Sequence, residues 1–79
     1  MEVKLPPKFY RDHIRRDLPG GTVVKENSRH VWVELNRDDA EELLSDAEHY
    51  ADPVNGYTSD YPGLAASARA TAKKLRRKL

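Results

Sequence analysis

Residues 29–52, RHVWVELNRDDAEELLSDAEHYAD, change their hydrophobic period part-way, and that change decides the fold class. Val31, Val33 and Leu35 alternate with His30, Trp32 and Glu34, the period of a strand with one buried face. Beyond Leu35, Ala40, Leu43, Leu44, Ala47, Tyr50 and Ala51 recur at three- and four-residue spacings. They form one stripe of a helix whose other faces carry Asp38, Asp39, Glu41, Glu42, Asp46 and Glu48. Asn36 stands at the switch. Its side-chain oxygen can accept from the backbone N–H of Asp38 or Asp39, and acids in the first turn suit the positive end of the helix dipole. A strand running through a cap into a helix makes this an α+β chain.

Upstream, Met1, Val3 and Leu5 alternate with Glu2 and Lys4, so residues 1–5 are expected as a third strand ended by Pro6 and Pro7. Pro7 suits the first turn of a helix over 7–18 with Phe9, Tyr10, His13, Ile14 and Leu18 on its apolar stripe, stopped by Pro19-Gly20-Gly21. Residues 22–26 and 30–35 are expected to form an antiparallel hairpin about an Asn27-Ser28 turn. That register places Val24 opposite Val31, Val23 opposite Trp32 and Lys25 opposite His30. Val24, Val31, Val33 and Leu35 then share one face, and Val23 joins Trp32 on the other. The Trp32 side therefore needs a cover: the first helix, the last helix or a second copy.

Downstream, Asp52-Pro53 closes the central helix over 37–51, and Asn55-Gly56 marks a turn. Ser59 or Asp60 can cap a last helix over 60–77, in which Leu64, Ala68, Ala72, Leu75 and Leu79 recur at helical spacing. The last two helices are expected to pack as an antiparallel pair. The whole chain, 1–79, reads as one small domain, burying roughly 60 % of the surface its unfolded form exposes.

Charge is strongly segregated beneath a net +1. Residues 1–33 hold seven Lys/Arg against four Asp/Glu, residues 34–60 one arginine against nine acids, and residues 61–79 six basic residues and no acid. An acidic and a basic helix packed as neighbours can neutralise each other, so the basic end does not by itself demand an external anion.

The chain has no cysteine, which excludes disulfides and thiolate metal sites and suits a reducing cytoplasm. No apolar run approaches the roughly 18 residues of a membrane span, so no membrane partner is expected. There is no GxSxG elbow, phosphate-cradling glycine loop or HExxH pair. His13, His30 and His49 fall on three elements at spacings unlike a zinc site. No catalytic residue, cofactor or metal is assigned, and a non-enzymatic protein is expected.

Two binding readings remain. Trp32, Val23, Tyr57 and Tyr61 supply apolar and aromatic surface of the kind that anchors protein interfaces, and Asp38, Asp39 and Glu42 an acidic helix face for a basic partner. Alternatively, Lys8, Arg11, Arg15, Lys73, Lys74, Arg76, Arg77 and Lys78 could neutralise nucleic-acid phosphates. Each feature also has a plain structural account. A domain this small needs aromatics for its own core, and a lysine-rich helix end complements the dipole in solvent.

The segments FYRDHIRRDLP, ELLSDAEHYADP and YPGLAASARATAKKL together resemble small uncharacterised accessory proteins encoded by actinobacteriophages. That resemblance implies an accessory protein acting in a bacterial cytoplasm on a host component, and implies no catalytic residue. Protein docking, to a host protein or to a second copy as a homodimer at the Trp32 face, is placed ahead of nucleic-acid binding, because the acidic residues 34–60 would repel a phosphate backbone.

Overall fold

The computed structural model describes residues 1–11, 21–55 and 60–79. Three strands, β1 (Glu2–Leu5), β2 (Thr22–Glu26) and β3 (Val31–Glu34), form an antiparallel sheet in the order β1-β3-β2. A first helical turn, α1 (Pro7–Phe9), continues through Tyr10 and Arg11. The rest of the expected 7–18 helix lies outside the described residues, as do Arg15, Tyr57 and the loop at 56–59. Two longer helices follow, α2 (Arg37–Ala51) and α3 (Pro62–Lys78), separated by a 3₁₀ turn at Pro53–Asn55.

The strand-to-helix switch is made by the predicted cap: Asn36 Oδ1 accepts from the Asp39 N–H at 2.8 Å. Asp38 and Asp39 occupy the first turn, where the dipole favours them. At α3 the expectation of a Ser59 or Asp60 cap is not met. The cap position is Tyr61, without a side-chain hydrogen bond, and Pro62 opens the helix with no N–H to leave unpaired.

The core lies on one face of the sheet, against which the helices close. Val3, Leu5, Val31, Val33 and Leu35 meet Phe9 and Tyr10, then Ala40, Leu43 and Ala47 of α2 and Ala68, Ala72 and Leu75 of α3. Leu44, Tyr50, Leu64 and Leu79 pack around its edge, half-buried. The two long helices pack together, as their facing apolar stripes require. Two polar residues, at helical spacing from Leu64, Ala68 and Leu75, enter this interior. Ser67 Oγ accepts the Phe9 N–H at 2.9 Å, and Thr71 Oγ1 donates to the Ser67 carbonyl at 2.9 Å. Both side chains are thereby satisfied, which makes their burial affordable.

The hairpin differs from the expected register. Asn27 Oδ1 accepts from the Arg29 and His30 N–H groups at 2.8 and 2.9 Å, and Asn27 N–H donates to the His30 carbonyl at 3.0 Å. Asn27 thus organises a turn through His30 rather than a two-residue loop. Glu26 pairs with Val31 and Lys25 with Trp32, and after a bulge at Val24 the ladder pairs Val23 with Val33 and Thr22 with Glu34. The extra residue reverses the facing of everything before it. Val23, expected beside Trp32, packs against the core instead, while Val24, expected in the core, is 57 % exposed.

Gly21 enters β2 at φ +93°, where a Cβ would lie 2.7 Å from Leu35 Cδ2 and 2.9 Å from Val33 Cγ1. Gly21→Ala therefore combines a left-handed backbone with overpacking against two buried side chains. A loss of roughly 2–5 kcal/mol is expected in urea unfolding. A change below about 0.5 kcal/mol would show that the strand entry relaxes freely.

Candidate functional site

The face of the sheet opposite the core centres on Trp32. Because side chains alternate along a strand and register pairs share a face, Lys4 on β1 and Lys25 on β2 flank Trp32 on β3. Their Nζ atoms lie 5.5 and 4.9 Å from the indole centroid, within cation–π range. His30 approaches the same ring at 5.7 Å, tilted by 57°. Trp32 is half-buried as a result. Side chains of the sheet and its turn thus supply part of the cover expected for Trp32.

Helix α3 completes the site. Lys74, Arg77 and Lys78 stand at i, i+3 and i+4 and so share one stripe. That stripe, with Lys4, Glu2, Val3 and Trp32, lines an open cleft of about 390 Å³. Arg69, Lys73 and Arg76 fall at similar spacing on another side, where Arg76 Nε meets Glu48 Oε1 of α2 at 3.7 Å. Among the described residues this is the one ion pair joining the two helices, and both partners are about half exposed. Mutual neutralisation of α2 and α3 is thus slight, since exposed pairs of this kind contribute about 0–1 kcal/mol. The helices pack through their apolar stripes, while Lys74, Arg77 and Lys78 face the cleft.

The local field is positive. Partial burial, then the charges of Lys4, Lys74 and Arg29, lowers the His30 pKa from its ordinary value and keeps the imidazole neutral at pH 7. Glu2 and Glu34 sit one register step along the same face. The Met1 ammonium offsets Glu34 at 2.8 Å and also donates to the Leu35 carbonyl.

The other residues singled out from sequence disperse. Lys8 lies beside Gly63, at the opposite end of α3 from the cleft. Arg11 is held by Glu26 Oε2 at 3.2 Å and by the Asn27 carbonyl. Tyr61 is 58 % exposed at the start of α3. Asp38 and Glu42 are exposed on α2 and Asp39 is half-buried there, and Arg37 pairs with Glu41 at 3.2 Å. His49 stands edge-on to Tyr50 at 5.4 Å. Among the described residues no cluster of three His, Asp or Glu could hold a metal, and no helix is long and apolar enough to cross a membrane.

Lys4, Lys25 and His30 are the members of the site that sequence reasoning missed. Their signal was strand alternation, which puts His30 on the face of Trp32, but only the observed register sets Lys4 and Lys25 directly opposite the indole. No known protein family, curated protein or solved structure matches the chain, so the site's meaning rests on its geometry.

Proposed function

We propose that this protein is a non-enzymatic nucleic-acid-binding module whose working surface is the Trp32 cleft. One observation carries the reading: Lys4, Lys25, Lys74, Arg77 and Lys78, contributed by two strands and a helix, gather around one aromatic residue. Assembling like charges in this way opposes folding, and a polyanion reverses that repulsion on binding. In the bacteriophage setting that the resemblance implies, such a module would act in a host cytoplasm rich in nucleic acid.

Fluorescence anisotropy of a labelled 20-base-pair duplex tests this. Micromolar binding at 50 mM salt is expected, weakening roughly 100-fold by 200 mM as the bound cations release counterions. No binding at 50 mM salt, or binding indifferent to salt, would overturn it. The acidic row of exposed Asp38 and Glu42 with half-buried Asp39, together with exposed Tyr61, supports a second reading: docking to a host protein or a second copy. Partners captured equally well before and after nuclease treatment would favour that reading.

A further inference from the structure

We infer, resting on the nucleic-acid reading above, that the cleft is a clamp for the phosphate backbone of a duplex, in which Trp32 positions Lys4 and Lys25 rather than stacking on a base.

The indole is already occupied. One lysine reaches it from each flanking strand, at 5.5 and 4.9 Å, and His30 lies against it at 5.7 Å. A base could stack there only by displacing one of these groups, and each displaced ammonium would be lost from the positive surface that attracts the strand. Single-strand binding without sequence preference depends on aromatic platforms for successive bases. Among the described residues the cleft has no second one. Phe9 and Tyr10 are buried, and Tyr50 packs on Phe9 with ring centroids 5.8 Å apart. Tyr61 begins α3, about 20 Å along the helix from Lys74 at 1.5 Å per residue. What the surface offers is ammonium and guanidinium groups, which match phosphate oxygens as point charges and forks. A rigid duplex presents those phosphates without any base being exposed. Trp32 is therefore a positioning residue whose ring keeps two lysines apart and upright on the sheet.

Salt titrations of a 20-base-pair duplex and an oligothymidine of equal length, for the wild type and for Lys4→Gln/Lys25→Gln, decide the matter. The duplex is expected to bind about tenfold more tightly, independently of its sequence. The double variant should lower the magnitude of the duplex salt slope by about two, one per lost phosphate contact. Trp32→Phe retains an aromatic spacer and should keep the duplex affinity within about threefold, with its fold verified by circular dichroism. Equal or tighter oligothymidine binding with strong quenching of Trp32 emission would overturn the clamp and leave the nucleic-acid reading standing. Absence of binding to either probe would overturn both. A double variant with an unchanged salt slope would place the phosphates elsewhere on the molecule and also overturn the clamp.

Discussion

Phe9→Ala should unfold a large part of the population at 25 °C. Phe9 is fully buried, packs on Tyr50, and lies where the first helical turn, the sheet and α3 meet. Truncating a buried phenylalanine costs about 3–5 kcal/mol, because the lost transfer energy is compounded by a cavity the surroundings only partly fill. Native domains hold about 5–15 kcal/mol in total, and one of 79 residues without a disulfide belongs near the lower end. The Phe9 N–H bond to Ser67 Oγ is retained by alanine only while α1 stays docked, so its loss adds to the penalty once α1 detaches. Urea unfolding followed by circular dichroism gives the measurement. A midpoint matching the wild type would mean that the core does not depend on this contact.

Charge reversal in the cleft carries the largest functional effect. Lys74→Glu/Arg77→Glu replaces two convergent cations with anions at exposed helix positions, where the cost to folding is small. Two favourable phosphate contacts become two repulsive ones, so duplex affinity at 50 mM salt should fall by at least about 100-fold. Arg69→Glu/Lys73→Glu makes the same change in net charge on another side of α3. It should cost less than about tenfold, through long-range attraction alone. Equal losses in the two variants would show that total charge, not the cleft, governs binding. The first variant also alters His30. One of the cations depressing its pKa becomes an anion, so the imidazole pKa read by NMR should rise toward its ordinary value. By the same sign, a phosphate held beside His30 favours its protonated form, and duplex binding should tighten as pH falls through the pKa of the bound state.

The elements of this fold were legible in local pattern. The period change at Leu35, the Asn36 cap and the α2 boundaries follow from residues within a few positions of one another. Such interactions are decided by backbone geometry that a short stretch carries with it. The alternation in residues 1–5 likewise announced β1, and the apolar stripe of residues 64–79 announced α3.

The site was not legible in the same way, because it joins residues up to 76 positions apart, Glu2 and Lys78, through pairings no local pattern encodes. Asn27 draws the turn out to His30, and the bulge at Val24 turns Val23 to the core. Together these decide that Lys25, not Val23, stands beside Trp32. The rotation of α3 about its axis decides that Lys74, Arg77 and Lys78 face the cleft while Arg76 faces Glu48. It also places Ser67 against the Phe9 N–H. Sequence by itself determined which segments become strands and helices and how much charge each carries. Only the tertiary structure decided which charges are neighbours, since strand register and helix rotation are settled by packing across the whole core rather than by any segment alone.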